Sequence, residues 1–387
     1  MRVVDASGLA IGEGHPPRVM GVLNMSVESN YTPSVHGVAA EAAEYVDEVM
    51  VPEGADIVDV GLQSSNPKND WFPEETELDR LDAALDMLDR VETEDVLFSI
   101  ETRYATVAER AIEGGFDIVN DVCGFADPDM PDVCERYDVP VVKMASPPDL
   151  KRPGHLKDID AVFEALEREG FTDKTIIDPA FGGWYDDRTY EDNWELFRRM
   201  REFRAFGRPI LTATNREDFL GDIADRPDTE DQLPVSLAAA TMEVERGANV
   251  VRTHDIADTV DVVAIAHALG DDRVVESTRD ARAVELTDVS LREVERHFSV
   301  RETVDDAGAP ADGTTLTFLV SDLADETRTA VVDAAVEHDL SLALDDDSLF
   351  LSGTARRLGH LADDLGGRSE ALSTVAGTLR RGLTRRV

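Results

Sequence analysis

Residues 53–61, Glu53-Gly54-Ala55-Asp56-Ile57-Val58-Asp59-Val60-Gly61, hold the fold in miniature. The glycine follows an amphipathic stretch at 38–53, where it supplies the left-handed cap that ends a helix. The apolar run Asp56–Val60 behind it reads as a short strand. Arg246-Gly247-Ala248-Asn249 repeats the arrangement ahead of Val250–Thr253. Around these two points, short apolar runs alternate with longer amphipathic stretches, as βαβ units do. Strands are expected at Arg18–Leu23, Asp56–Val60, Leu97–Ile100, Asp117–Asn120, Val139–Met144, Thr175–Asp178, Pro209–Thr212 and Val250–Thr253. Helical patterns occupy 38–53, 74–90, 104–114, 128–137, 158–169, 190–206, 233–247 and 256–269. Eight strands with eight helices close a barrel more naturally than an open sheet. The expected class is therefore α/β, a (β/α)8 TIM barrel over residues 1–275, a fold that takes about 250 residues. The first seventeen residues read as a short hairpin placed to cover the barrel floor.

After Leu269 the rhythm changes. A linker rich in Asp and Arg leads to a helical pattern around 286–298 and a Gly/Pro/Asp-rich stretch at 305–314. Strand 316–320, helix 324–338, strands 341–345 and 348–352, and helices 354–365 and 370–382 follow. They make a small α+β domain over 285–387 with no recognisable motif. The pairs Arg380-Arg381 and Arg385-Arg386 read as a solvated basic end.

Charge narrows the setting. Lys and Arg number 38 against 81 Asp and Glu, a formal net charge of −43, and only Lys68, Lys143, Lys151, Lys157 and Lys174 are lysines. Such a surface repels itself at ordinary ionic strength. In molar salt the Debye length falls to about 3 Å and the repulsion is screened. The composition therefore points to the cytoplasm of a salt-accumulating halophile. It also argues against nucleic acid as a partner, because phosphate binding needs clustered basic residues. The start Met1-Arg2-Val3-Val4-Asp5 lacks the apolar block of a signal peptide, and no apolar run approaches a membrane span. Cys123 and Cys134 are the only cysteines, which suits a reducing compartment and excludes a disulfide framework or a Cys-based zinc site.

In a (β/α)8 barrel, function gathers at the C-terminal ends of the strands. Asn24-Met25-Ser26 follows strand 1, and Gln63-Ser64-Ser65-Asn66-Pro67 follows strand 2. Later strands end in Glu101-Thr102-Arg103, Asn120-Asp121, Lys143-Met144, Asp178-Pro179-Ala180-Phe181-Gly182-Gly183, Thr214-Asn215-Arg216-Glu217 and Arg252-Thr253-His254-Asp255. Nearly every strand delivers a polar group to one rim, which barrel packing alone does not require. The set divides in two. Glu101, Asn120 and Asp178 suit a flat heterocycle with donors and acceptors, since a carboxylate accepts a paired N–H edge bidentately. Arg252, His254, Ser65 and Asn24 suit an anion and its metal.

With these residues in order, the chain resembles the pterin-binding family and, within it, the dihydropteroate synthases. Gly21-Val22-Leu23-Asn24 is similar to the family's G-I-L-N, and Gly54–Gly61 to G-A-D-I-I-D-[VI]-G. Ile118-Val119-Asn120-Asp121 resembles I-I-N-D, Asp178-Pro179 opens D-P-G-x-G, and Arg252-x-His254-Asp255 matches R-x-H-D. The resemblance covers about residues 18–269. It implies that Asp178 and Asn120 hold a pterin ring with Glu101 beside them, while Arg252 and His254 hold a diphosphate or the second substrate. It also implies that Asn24 helps to seat Mg²⁺ and that two copies of the chain pair as a homodimer. The implied reaction joins 6-hydroxymethyl-dihydropterin diphosphate to p-aminobenzoate and releases pyrophosphate. The barrel then stabilises departing negative charge and holds the amine near the methylene carbon.

Four departures from the family pattern stand out. Glu101 replaces the usual Asp; Ser26-Val27-Glu28-Ser29 replaces T-P-D-S; and Ser64-Ser65-Asn66-Pro67-Lys68 lacks the arginine of S-T-R-P-G. Fourth, Asn215-Arg216-Glu217-Asp218-Phe219-Leu220-Gly221 stands where the family has S-R-K-S-F-[IL]-G. Glu217 then occupies the place of a lysine that contacts the pterin carbonyl, and it is expected to be protonated, turned away, or replaced in function by Arg216. Two further readings stay open. One is methyl transfer from a pterin to a separate corrinoid protein, since no D-x-H-x-x-G signature occurs here; the other is a pterin-binding protein without turnover.

Overall fold

The computed structural model describes residues 2–29, 32–64, 69, 71–151, 153–154, 156–182, 188–270, 275–277, 282–300, 309–344 and 348–385. The chain forms two compact units, Met1–Val284 and Glu285–Val387.

The first unit opens with an antiparallel hairpin, β1 (Val4–Ala6) and β2 (Leu9–Ile11). Eight parallel strands follow: β3 (Arg18–Asn24), β4 (Ile57–Gly61), β5 (Leu97–Thr102), β6 (Ile118–Asp121), β7 (Val141–Met144), β8 (Thr175–Asp178), β9 (Leu211–Thr212) and β10 (Val250–Thr253). They lie in the order β8-β7-β6-β5-β4-β3-β10-β9. The two ends meet through a parallel bridge between Ile177 and Ile210, where the Ile177 N–H donates to the Pro209 carbonyl at 2.9 Å. The sheet thus closes on itself, as the alternating pattern implies. Helices alternate with the strands: α1 (Ala39–Tyr45), α2 (Glu74–Leu88), α3 (Ala105–Glu113), α4 (Met130–Arg136), α5 (Ile159–Glu167), α6 (Tyr190–Arg198), α7 (Asp218–Ile223), α8 (Leu233–Glu245) and α9 (Ile256–Leu269). The short α7 follows β9 and has no counterpart in the sequence reading.

One local device recurs where helices turn back into strands. Gly54 and Gly247 take φ of 96° and 109°, the left-handed region a helix end needs. Two residues later an acceptor side chain caps an N–H on the preceding strand. The Asp56 carboxylate accepts from Val19 at 2.8 Å, and the Asn249 carbonyl oxygen accepts from Ile210 at 3.0 Å. Asp117, two residues after Gly115, accepts from Phe98 at 3.0 Å. Asp56, which the sequence reading places in the strand, therefore acts just before it as a staple between neighbouring strands.

The hairpin does cover the floor. Val4, Ala6 and Ile11 pack on Met20, Ile57, Ile118, Val142, Ile176, Leu211 and Val250, one residue from nearly every strand. Because side chains alternate along a strand, this apolar layer fixes which residues point inward higher up. Two residues beyond it stand Val22, Asp59, Asn120, Met144, Asp178, Ala213 and Arg252. The opposite parity faces the helices and holds polar groups of its own. Thr102 donates to Glu77 on α2, and Thr212 and Thr214 donate to Glu243 on α8. Burial pushes both of these carboxyls up to about 7.

Lys143 belongs to this outer set and not to the rim, where the sequence reading counts it. It is fully buried, and its ammonium donates to the carbonyls of Leu166, Arg168 and Gly170 behind α5. Those are the orphan carbonyls of a helix end, so the lysine serves as a cap. Among the described residues no helix is long and apolar enough to cross a membrane.

The first unit ends in a short antiparallel pair, β11 (Val275–Ser277) with β12 (Arg282–Val284). The second unit has helices α10 (Leu291–Ser299) and α11 (Ala309–Gly313), then β13 (Thr315–Ser321), α12 (Asp325–Glu337), β14 (Ser341–Leu344), β15 (Ser348–Thr354), α13 (Ala355–Leu365) and α14 (Glu370–Arg385). Its sheet is antiparallel in the order β13-β15-β14. One face packs Leu316, Leu349 and Leu351 against Val331, Leu358, Leu361 and Leu379 from the helices.

Replacing Lys143 with Met keeps the volume but strands three carbonyls, one buried and two part-buried. Chemical denaturation in a fixed molar salt is expected to show a loss of at least ~3 kcal/mol. A loss below about 1 kcal/mol would show that water replaces the ammonium.

Candidate functional site

A cavity of about 680 Å³, open mouth included, sits at the C-terminal ends of the barrel strands. Glu101, Asn120, Asp178, Asn215, Glu217, Arg252 and His254 line it together with apolar Val22, Met144 and Phe181. Seven of the ten residues singled out from the sequence therefore share one cavity. Asn24 and Arg216 are not in its wall, and Ser65 lies outside the described residues.

The deepest polar group is one the sequence reading quoted in a motif but did not assign to the site. Asp59, fully buried on β4, accepts from Ser99 Oγ at 2.7 Å, Asn120 Nδ2 at 3.0 Å and Arg252 Nε at 2.7 Å. Arg252 also donates through Nη2 to Glu101 Oε2 at 2.6 Å. Burial disfavours the Arg252 charge, but Asp59 and Glu101 outweigh it and hold the guanidinium protonated. The groups assigned from sequence to two different ligands, Glu101 and Arg252, are thus hydrogen bonded to each other. Asp59 also settles how Asn120 faces, because a carboxylate can only accept. The amide NH₂ points to Asp59 and the amide oxygen is left for the cavity.

Asp178 closes the other side. It is 5% exposed, and Oδ1 accepts from the Ala180 N–H at 2.7 Å. Ala180 holds a left-handed φ of 58°, unusual for a residue with a Cβ and therefore maintained by its surroundings. Burial lifts the Asp178 carboxyl to about 6 against the pull of that N–H and of Arg252. The group is still ionised at neutral pH.

A second network braces the rim. Asn24 Nδ2 donates to Ser34 Oγ at 3.1 Å, and Ser34 Oγ lies 2.9 Å from His254 Nδ1. Burial, with Arg252 nearby, pushes His254 down to about 3, so it is neutral at physiological pH. Asn215 accepts from the His254 N–H at 3.0 Å and donates to Asp255 at 2.9 Å. Arg216 grips Asp255 with Nε at 2.8 Å and Nη2 at 2.9 Å, and its Nη1 reaches the Thr229 carbonyl at 2.7 Å. Burial alone would raise the Asp255 carboxyl, yet the hydrogen bonds from Arg216 and Asn215 hold it below its ordinary value. Arg216 is therefore a brace for β10, which corrects its expected place as a group facing the substrate. At position 217, Glu217 lines the cavity and Arg216 does not.

Other departures also acquire partners. Glu28 Oε1 accepts from Arg80 Nη1 at 2.7 Å, while Arg80 also donates to the Leu62 carbonyl at 2.7 Å. The loop after β3 is thereby tied to the end of β4. Among the described residues no group of three or more His, Cys, Asp or Glu is placed to hold a metal. A magnesium ion would therefore have to draw most of its ligands from outside the protein. With its Nδ2 committed to Ser34, Asn24 could offer such an ion only its Oδ1.

The residues missed from sequence are Asp59, Ser34, and Asp255 as a partner of Arg216. Asp59 was legible by parity, two residues above Ile57 on an inward face. Ser34 carried no signal, since its place depends on how the loop after β3 folds back.

The chain matches the family of pterin binding enzymes over residues 20–254, a span that contains the whole cavity lining. It is 33% identical over 268 residues to a probable bifunctional folylpolyglutamate synthase/dihydropteroate synthase of Halobacterium salinarum, covering 66% of this chain and 32% of that protein. The chain thus spans about a third of the length of that relative. It is 29% identical over 262 residues to a dihydropteroate synthase of Bacillus subtilis, covering 66% of this chain and 89% of that one. Among solved structures, a dihydropteroate synthase from Coxiella burnetii in complex with pteroic acid superposes with a TM-score of 0.57 at 29% identity, covering 69% of this chain and 98% of that one. Barrel, cavity and matched span all fall on the same residues, and the chain belongs to the pterin binding enzymes.

Proposed function

We propose that this chain is a dihydropteroate synthase-type transferase of folate biosynthesis. It would join 6-hydroxymethyl-dihydropterin diphosphate to p-aminobenzoate and release pyrophosphate. One observation carries the reading: Glu101, Asn120, Asp178, Arg252 and His254 converge on one cavity at the C-terminal mouth of the barrel. In the proposed roles, the free oxygen of Asp178 and the amide oxygen of Asn120 accept the N–H edge of the ring. Arg252, pinned by Asp59 and Glu101, turns its remaining N–H groups to the diphosphate or the second substrate. His254 works as a neutral hydrogen-bonding group, with Ser34 fixing its ring.

The amine nitrogen forms a bond to the methylene carbon as the carbon–oxygen bond to the diphosphate breaks. Pyrophosphate leaves with the electron pair and the amine loses a proton. No protein nucleophile is needed, so the barrel contributes position and charge. Bound Mg²⁺, taken by Asn24 Oδ1 together with phosphate oxygens, would neutralise charge on the leaving group. A homodimer in the cytoplasm completes the reading.

Incubating the protein with the dihydropterin diphosphate, p-aminobenzoate and Mg²⁺ in molar salt is expected to release pyrophosphate only when p-aminobenzoate is present. Tight pterin binding without release would favour a binding protein instead. Light scattering in the same salt is expected to give twice the chain mass.

Asp178→Asn separates binding from folding. Its carboxyl titrates near 6 in the folded protein and at 3.8 ordinarily, so ionisation is disfavoured by folding. Stability from this group is therefore lost as pH rises from 3.8 to about 6. The variant is expected to be as stable as the parent at pH 7, or more stable by up to ~2 kcal/mol. Pterin affinity is expected to fall at least tenfold. Parent affinity should also decline as pH drops below about 6 while the variant's stays flat. Equal affinity in the two proteins would remove Asp178 from ring recognition.

A further inference from the structure

The loop between β3 and α1 is held on both of its limbs. On the outgoing limb, Glu28 Oε1 accepts from Arg80 Nη1 at 2.7 Å and from the Ser64 N–H at 3.4 Å. The Glu28 carbonyl accepts from Asn69 Nδ2 at 3.2 Å. On the return limb, Val35 forms a parallel bridge to Asn24, and the His36 N–H donates to the Asn24 carbonyl at 2.9 Å. Ser34, buried on that limb, lies 2.9 Å from His254 Nδ1 and accepts from Asn24 Nδ2.

The cation on the outgoing limb comes from neither neighbouring loop. Residues 25–36 contain no Lys or Arg, and residues 62–73 contain only Lys68. Arg80 reaches in from the middle of α2. Its side chain is 27% exposed and that of Glu28 20%, so most of the pair is out of water. Arg80 Nη1 also donates to the Leu62 carbonyl at 2.7 Å, and the guanidinium carbon lies 4.5 Å from the centre of the Phe72 ring. Phe72 is anchored in turn, because the Tyr104 hydroxyl donates to its carbonyl at 3.3 Å. A planar guanidinium meets a ring face and two acceptors at once, which fixes its orientation as well as its charge. Molar salt screens such a pair less than one on the surface.

The two ends of the cavity differ in what holds them. Asn120 and Asp178 stand on β6 and β8 and are held by Asp59 and by the Ala180 N–H. Asn24 and His254 meet at Ser34, and Ser34 belongs to the loop that Glu28 ties to Arg80.

We propose that Arg80 is a positioning residue for the anion end of the cavity: by holding Glu28 it sets the loop after β3 and, through Ser34, the Asn24 and His254 side chains. The proposal takes its ligand from the transferase reading, while the coupling of Arg80 to the loop stands apart from that reading.

The experiment compares the full chain with Arg80→Met, Glu28→Ala, the double variant and Arg80→Lys, all in molar KCl. Hydrogen–deuterium exchange reads the loop in the ligand-free proteins. Fluorescence reads affinity for 6-hydroxymethylpterin and, with Mg²⁺, for its diphosphate. Arg80→Met is expected to speed exchange at the bonded amides of Met25, Ser29 and His36, while the floor hairpin keeps the parent rates. Affinity for the diphosphate should fall about tenfold, and that for 6-hydroxymethylpterin should stay within about twofold. Glu28→Ala should give the same pattern, and the double variant should be no worse than the worse single one. Arg80→Lys, which keeps the charge, should recover part of the diphosphate affinity; a lysine no better than methionine would assign the effect to packing on Phe72 and overturn the pairing. Additive losses in the double variant, or parent exchange rates in Arg80→Met, would overturn the coupling. Equal losses for the two pterins would overturn the placement at the anion end, since general damage to the fold acts on both. Diphosphate affinity unchanged in Arg80→Met would overturn the positioning role. A parent protein that binds neither pterin while the exchange pattern is present would sink the transferase reading and leave the coupling standing.

Discussion

A carboxylate with no exposure to water has to be surrounded by donors, and Asp59 meets that requirement with groups from three other strands. Ser99 on β5, Asn120 on β6 and Arg252 on β10 all donate to it. Removing Arg252 leaves charge uncompensated in a low-dielectric interior, which costs several kcal/mol, and removing either neutral donor leaves a buried acceptor unmet. The arrangement therefore resists rearrangement when a ligand enters. Arg252 cannot swing away, because Glu101 holds its other end. Asn120 cannot flip, because its amide oxygen would then face a carboxylate that can only accept. Preorganisation of this kind lets the mouth present fixed charges to a reacting molecule without reorganising at the moment of reaction.

The same low dielectric explains the states of the remaining groups. His254 is buried beside one cation and is therefore neutral, so among the cavity-lining side chains the positive charge comes from Arg252. Asp178 is buried but keeps an N–H and nearby guanidinium groups, which leaves it ionised at neutral pH with little margin. Arg216 and Asp255 neutralise each other at the rim. The surface charge of −43 is a separate matter: it concerns solubility in salt, whereas the site balances its charges locally.

Much of this was legible in the chain as written. Strand and helix positions in the barrel follow from alternating apolar runs and amphipathic stretches, and the observed elements lie within a few residues of those expected. The hairpin over the floor followed from the short apolar pattern ahead of Arg18. The rim inventory went wrong in one systematic way, by counting both faces of each strand. Lys143 and Asp121 follow inward residues by one position, so they face the helices. The Asp121 carboxylate is spent on the N–H groups of Cys123 and Phe125. Glu77 and Glu243, far from their strands in sequence, turned out to serve hydroxyls on that outer face.

The sequence by itself determined the period of every element, hence the barrel, its capping glycines and the strand each reactive group stands on. It also determined the family motifs that put Asn120, Asp178, Arg252 and His254 at strand ends. Only the tertiary structure decided which groups pair, because ion pairs form between strands brought together by ring closure, at sequence separations no local pattern encodes. Asp59 with Arg252 lies 193 residues apart along the chain, and Ser34 with His254 lies 220 apart. Whether a carboxylate is a ligand-binding group or a partner for an arginine depends on those distant neighbours, which is why Arg216 changed its role.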